Sequence, residues 1–259
     1  MRLIDSHCHL DFPAFDPDRA DILRRCRARG ISDIVIPGVC ARHWPRLLDL
    51  CRREPGLHPA LGLHPLFIED HRAEELTLLR QQIEQDRPVA IGEIGLDFYS
   101  ATADRTRQLH LFEQQLLIAR DANLPVLLHV RKAHEPVLKA LKEIAVVGGI
   151  AHAFNGSLQQ AQRYMDLGFK LGFGGVVTYE RSRKLRRLAQ ALPLEAIVLE
   201  TDAPDMTVAA HQGERNSPEY LPEILTTLAR LRAESAEEIA EQTTRNALEI
   251  LNLGNPELG

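Results

Sequence analysis

His7 and His9 stand two residues apart at the end of the apolar run Leu3-Ile4-Asp5-Ser6-His7-Cys8-His9. Side chains alternate along an extended strand, so both imidazoles point to one face and can bind one ion. Asp5 falls on that face one step deeper, placed to orient a ligating imidazole. Cys8 points to the opposite face. A single His-x-His also arises by chance on a surface, so the reading depends on whether other apolar runs end in the same way.

They do. His64 follows Leu57–Leu63, Glu93 lies near the end of Pro88–Leu96, and His129 is carried by Leu124–Val130. His152 is carried by Val146–Phe154, and Asp202 follows Ala196–Glu200. Imidazole and carboxylate groups in apolar strands are costly unless they are paired or bound to metal. The four histidines His7, His9, His129 and His152, with Glu93 and Asp202, exceed the needs of one tetrahedral ion. They suit two divalent ions bridged by Glu93, one held by His7, His9, Glu93 and Asp202, the other by Glu93, His129 and His152. Such a pair activates a shared water and stabilises both the attacking and the leaving oxygen. Asp202 is the candidate general base. His64 and Arg131 stand beside the ligands, placed to contact a phosphate oxygen. A salt bridge to a loop acid is the competing role for Arg131.

The elements that must position these residues follow from the pattern. Eight near-continuous apolar runs alternate with segments of helical period, such as Asp18–Arg29, Trp44–Arg53 and Thr102–Ala122. Strands apolar on both faces are covered on both faces and therefore parallel. Eight such units in 259 residues predict one closed (β/α)8 TIM barrel spanning 1–259, with an open doubly wound sheet as the rival. In a barrel the C-terminal ends of all strands meet at one mouth, where the ligands would converge.

Bulk properties narrow the function. A hydrophobic fraction of 44%, a charged fraction of 26% and a net charge of −5 describe a globular protein without a general affinity for polyanions. No run is long enough to cross a bilayer and no signal segment precedes the first strand, so a cytoplasmic location is expected. Cys8, Cys26, Cys40 and Cys51 form no C-x-x-C pair and read as reduced, buried thiols. A basic run, Arg181, Arg183, Lys184, Arg186 and Arg187, follows the seventh strand on the catalytic side. It can guide a nucleic-acid backbone or form a solvated helix face. Asn155 is placed to contact substrate or to cap the helix starting near Ser157. Nothing in the sequence marks an oligomeric state.

The motifs Ile4-Asp5-Ser6-His7-Cys8-His9-Leu10-Asp11, Gly62-Leu63-His64-Pro65, Gly92-Glu93-Ile94-Gly95-Leu96-Asp97, His129-Val130-Arg131, His152-Ala153-Phe154-Asn155-Gly156, Leu199-Glu200-Thr201-Asp202-Ala203-Pro204 and Asn216-Ser217-Pro218 resemble those of the TatD family. That family lies within the amidohydrolase-like superfamily, and the resemblance runs from Leu3 to Leu251. It implies that each ligand named above falls on a ligand position of the family. It also implies hydrolysis supported by zinc, magnesium or manganese, often of DNA in the 3′–5′ direction. Asp205-Met206 departs from the pattern, since many members carry an aromatic residue and more proline there. The chain resembles the YjjV-like branch in this, which bears on the DNA substrate rather than on hydrolysis. Three functions are thus framed: a metal-dependent nuclease or phosphodiesterase, a hydrolase of a small-molecule C–N or ester bond on the same barrel, and a binding protein that keeps its metal.

Overall fold

All eight apolar runs form strands in the computed structural model, which describes residues 1–254, so the last five positions of the domain expected over 1–259 lie outside it. They are β1 (Leu3–Asp5), β2 (Ile31–Pro37), β3 (Leu57–Leu61), β4 (Ala90–Asp97), β5 (Val126–Arg131), β6 (Gly149–Ala151), β7 (Phe169–Phe173) and β8 (Ile197–Leu199). They pair in parallel in the order β1 to β8. Helices α1 (Arg19–Ala28), α2 (Trp44–Arg53), α3 (Glu74–Asp86), α4 (Arg105–Asp121), α5 (His134–Glu143), α6 (Leu158–Asp166) and α7 (Arg183–Ala191) fill the first seven crossovers. The chain ends in α8 (Leu221–Leu231) and α9 (Ala236–Ile250). The barrel is therefore the expected one, and the open sheet is excluded.

The seam between β8 and β1 closes just beyond the strands. Ser6 N–H donates to Leu199 O at 3.0 Å, Asp202 N–H to His7 O at 2.8 Å, and His9 N–H to Ala203 O at 2.8 Å. The segments that carry His7, His9 and Asp202 thus close the barrel as well as line its mouth.

Inside the barrel, Ile4, Val35, Ala60, Ala90, Leu127, Ile150 and Val198 form an apolar layer, one residue from each of seven strands. Ala247 and Leu251 from the C-terminal segment seal it from below. A second, larger apolar layer lies between strands and outer helices and includes Cys8, Trp44, Phe112 and Leu116. The floor is thus dry, and the polar residues of the barrel gather at the opposite end.

Observed strands are shorter than the apolar runs. β1 ends at Asp5 rather than at His9, and β6 ends at Ala151, before His152. Most of the ligand residues sit in the turn that leaves a strand. There the backbone is freed from the ladder and can re-aim a side chain.

Candidate metal centre

Glu93 lies inside β4 at an irregularity of register: Ile91 pairs with Val126 but Ile94 with Leu128, so three residues advance on one strand against two on its neighbour. An extra residue of this kind bends a strand and redirects its side chains. Here Glu93 N–H pairs back to Gly38 O at 2.9 Å. Gly62 must lack a side chain for this to fit, because a Cβ there would lie 2.7 Å from Gly92 C and 2.8 Å from Glu93 O. The carboxylate is turned into the mouth and is 2% exposed.

The two oxygens of Glu93 face different groups. Oε2 lies 3.1 Å from His7 Nε2 and 3.5 Å from His9 Nε2. Asp202 Oδ1 lies 3.7 Å and 3.6 Å from the same two nitrogens. Oε1 lies 3.0 Å from His129 Nδ1, 3.2 Å from His64 Nε2 and 3.5 Å from His152 Nε2. Donors bound at about 2.1 Å around a tetrahedral ion stand roughly 3.4 Å apart. The spacings among His7, His9, Glu93 and Asp202 fit that figure. The donor atoms of His7, His9 and Asp202 also lie within 4.8 Å of one another, as do those of His7, Glu93 and His152. The six residues expected as ligands are brought together, with Glu93 between two donor groups.

Charge within the cluster fits a cation. Burial alone would raise the Glu93 carboxyl, but His64, His7 and His152 outweigh it and hold it well below the usual carboxylate range. Burial opposes protonation of His152, yet Asp202, Glu200 and Glu93 together hold its pKa up at about 10. His7, stacked on His152 with ring centroids 3.8 Å apart, is pushed down to about 3 by burial and then by that neighbour's charge. This local excess of negative charge, offered through nitrogen and oxygen donors, is a donor set for zinc, manganese or magnesium.

His64 presents two observations that point different ways. Its Nε2 is as close to Glu93 as a ligand would be, and His64, Glu93 and His129 form a compact donor group. Its Nδ1, however, accepts the Leu66 N–H at 3.1 Å, and burial lowers its pKa to about 4. An imidazole that is neutral and accepts at Nδ1 carries its proton on Nε2. The tautomer decides against ligation and makes His64 a hydrogen-bond donor aimed into the mouth.

Asp202 lies three residues past β8, in a left-handed conformation (φ +57°). Aspartate tolerates that region better than most residues, and its use here turns the carboxylate inward. Asn216, fully buried, pins this turn by donating from Nδ2 to Thr201 O at 2.8 Å and to Asp205 O at 2.6 Å. Burial raises Asp202 to about 6, and its side chain is the most exposed of the ligand carboxylates, 15% against 3% for Glu93.

Some expectations are corrected. Asp5 orients no imidazole. Its Oδ1 accepts N–H bonds from His7 at 3.2 Å and Thr201 at 2.9 Å, and its Oδ2 accepts from Thr201 Oγ1 at 2.5 Å. It secures the β1–β8 seam, because the chain leaves the strand directly after Asp5. Asn155 caps no helix: Ser157 and Gln160 form a reciprocal capping box instead, and Asn155 Oδ1 faces His134 Nε2 at 3.1 Å. Arg131, whose competing role is a salt bridge, does lie within ion-pair distance of Asp97 at 3.9 Å, beyond hydrogen-bond reach, and also stacks over the Tyr99 ring at 3.8 Å. Its guanidinium remains half exposed on the rim. Sequence reasoning missed Asp97, Glu200 and Asn216 as parts of the site. All three were quoted in motifs, but only the fold shows what they touch.

A cleft of about 840 Å³ opens onto His129, His152 and Asp202. Arg131, Arg181, Arg183, Lys184 and Arg187 line it, with Phe154, Val176, Leu188 and Met206. Arg186 turns away and donates to Val177 O at 3.1 Å. Among the described residues, none of the four cations from Arg181 to Arg187 that line the cleft lies within ion-pair distance of a carboxylate.

A parallel barrel whose mouth gathers imidazoles around a buried carboxylate is the architecture of a metal-dependent hydrolase. The family model described as TatD related DNase matches residues 4–252. The chain belongs to the TatD family. It is 41% identical over 256 residues to YjjV of Escherichia coli K12, named an uncharacterized metal-dependent hydrolase, covering 97% of this chain and 98% of that one. It is 34% identical to the 3′–5′ ssDNA/RNA exonuclease TatD of Erwinia tasmaniensis, covering 97% and 100%. The crystal structure of the Escherichia coli YjjV protein superposes with a TM-score of 0.94 at 40% identity, covering 97% and 98%. Among the described residues no helix is long and apolar enough to cross a membrane.

Proposed function

We propose that the protein is a divalent-metal-dependent phosphodiesterase that acts on DNA, removing nucleotides in the 3′–5′ direction. One observation carries this reading: the cleft that holds the metal-ligand cluster is walled by unpaired cations of the α7 segment. A small neutral substrate has no use for four such charges, whereas successive phosphates do. The exonuclease name of the Erwinia relative supports the direction. The four free cysteines fit a reducing, cytoplasmic setting.

Two divalent ions, held by His7, His9, Glu93 and Asp202 and by Glu93, His129 and His152, would supply Lewis acidity and lower the pKa of an attacking water. Asp202 stands at the open side of the cluster, where it would accept a proton from an attacking water. His64, whose Nε2 faces Glu93 Oε1 at the mouth, and Arg131 on the rim stand where they would meet neighbouring phosphoryl oxygens. Glu93, 2% exposed, holds the two donor groups at fixed separation.

The apolar part of the cleft wall, Phe154, Val176, Leu188 and Met206, favours a second reading, hydrolysis of a C–N or ester bond in a small molecule. Protein loaded with Mn²⁺ or Zn²⁺ and incubated with end-labelled single-stranded DNA and with a panel of amides and esters separates the two. Release of mononucleotides from the 3′ end is expected. Turnover of an amide or ester with intact DNA would overturn the nuclease reading.

A further inference from the structure

Asp97 and Glu200 take no part in the steps above, yet each is buried against an imidazole of the cluster. Asp97 ends β4 and is 2% exposed. Its Oδ2 lies 3.0 Å from Nε2 of His129, whose Nδ1 lies 3.0 Å from Glu93 Oε1. Glu200 follows β8 and is fully buried. Its Oε1 lies 3.3 Å from Nδ1 of His152, whose Nε2 lies 3.5 Å from the same Glu93 oxygen. Each ring therefore turns one nitrogen to Glu93 and the other to a buried carboxylate. The two rings use opposite nitrogens: Nδ1 of His129 and Nε2 of His152 face Glu93.

Both carboxylates are themselves fixed. Asp97 Oδ1 accepts the Tyr99 N–H at 2.9 Å. Glu200 Oε1 accepts the Ala153 N–H at 2.6 Å, directly after His152. Glu200 also needs Gly172, where a Cβ would lie 2.1 Å from its Oε2. In the other donor group no carboxylate lies behind the rings: Nδ1 of His7 and Nδ1 of His9 are buried without a hydrogen-bond partner, whereas Nδ1 of His152, also without a hydrogen bond of good geometry, has Glu200 Oε1 within ion-pair distance at 3.3 Å. A carboxylate behind a ligating imidazole fixes its tautomer, holds its plane and raises its basicity.

We propose that Asp97 and Glu200 are positioning residues, holding His129 through Nε2 and His152 through Nδ1 so that the opposite nitrogens face an ion beside Glu93 Oε1. This rests on the metal reading of the site and not on the bond the enzyme cleaves. The test is a Zn²⁺ titration of the full chain against a chromophoric chelator, for the parent and for the near-isosteric variants Asp97→Asn and Glu200→Gln. One Zn²⁺ equivalent is expected to weaken by about 10–100-fold in each variant while the other changes by less than about threefold. The melting temperature of chelator-treated protein is expected to stay at the parent value, which separates positioning from a merely structural role. Because the variants act on different rings, either one suffices if the other fails to fold. Parent-like affinity for both equivalents overturns the proposal, and so does a loss matched by equal destabilisation of the chelator-treated protein. A parent that takes up no Zn²⁺ overturns the metal reading beneath it. A parent that binds Zn²⁺ but leaves DNA intact overturns only the proposed substrate.

Discussion

Glu93 Oε2 lies 3.1 Å from His7 Nε2, across a barrel mouth that joins residues 86 positions apart in the chain. The other oxygen of the same carboxylate reaches His129 Nδ1 at 3.0 Å. One buried side chain therefore connects both donor groups, and the account of the site turns on it.

Glu93→Ala removes that connection. Metal content by elemental analysis is expected to fall from two equivalents towards none, with nearly all hydrolysis lost, because the clamp on the attacking and leaving oxygens goes with the ions. A variant that retains two full equivalents refutes the bridging role.

Asp202→Asn tests proton abstraction. General-base removal costs about 10²–10⁴-fold in turnover, so kcat is expected to fall by that much while KM changes little. Asp202 is also a ligand candidate, so the kinetics are measured at saturating metal. A rate within a few-fold of the parent's, on the scale of that expected loss, removes Asp202 from the base role.

The cationic wall is tested by the triple variant Arg183→Ala, Lys184→Ala, Arg187→Ala. Each phosphate contact on single-stranded DNA contributes about 0.7 to the slope of log K against log salt, so the slope is expected to fall by roughly 2. Hydrolysis of a small chromogenic phosphodiester is expected to be unchanged. Equal salt slopes in parent and variant would mean that α7 does not meet the nucleic-acid backbone.

How far the sequence disclosed this site depends on which physical rule placed each residue. Parallel topology brings strand ends together whatever their exact boundaries, so His7, Glu93, His152 and Asp202 could be grouped from apolar runs alone. The boundaries themselves were overestimated. An apolar run continues into the turn when that turn is buried, as it is at Cys8 and Phe154, each 1% exposed or less. Contacts set by turn geometry were not legible. Asp5 lies one alternation step from His7, but the strand ends there and its carboxylate meets Thr201 instead. Glu200 precedes the Thr-Asp pair, and only the packing of β6 and β7 against β8 shows that it backs His152. The tautomer of His64 depends on one backbone N–H, from Leu66, that no side-chain pattern reveals.

The barrel floor gives a stability prediction. Leu127 is fully buried in the inner layer, and truncation of such a residue costs about 2–5 kcal/mol through lost burial and the cavity left behind. Leu127→Ala is expected to lose that much in urea unfolding, with activity per folded molecule retained, because the floor lies away from the mouth. A loss within about 0.5 kcal/mol, the range of surface substitutions, would contradict the packing described.

Asp33 gives a pH dependence away from the site. Burial would raise its carboxyl, but hydrogen bonds from His58, Ser32 and Arg2 outweigh burial and hold it well below the usual range. A depressed folded-state pKa stabilises above the unfolded value, about 3.9 for aspartate, and the contribution disappears as pH falls below it. Asp33→Asn is expected to lose about 2 kcal/mol at pH 7. The difference from the parent should shrink steadily below the unfolded-state value. A pH-independent difference would assign the loss to packing rather than to charge.

The central claim is that Glu93 joins two ion-binding donor groups at one mouth. Anomalous diffraction from crystals grown with Mn²⁺ or Zn²⁺, recorded on both sides of the metal absorption edge, tests it directly. Two peaks are expected, one among His7, His9 and Asp202 and one beside His129 and His152, each touching a different oxygen of Glu93. A single peak that does not contact Glu93, or none at this mouth, would contradict the account.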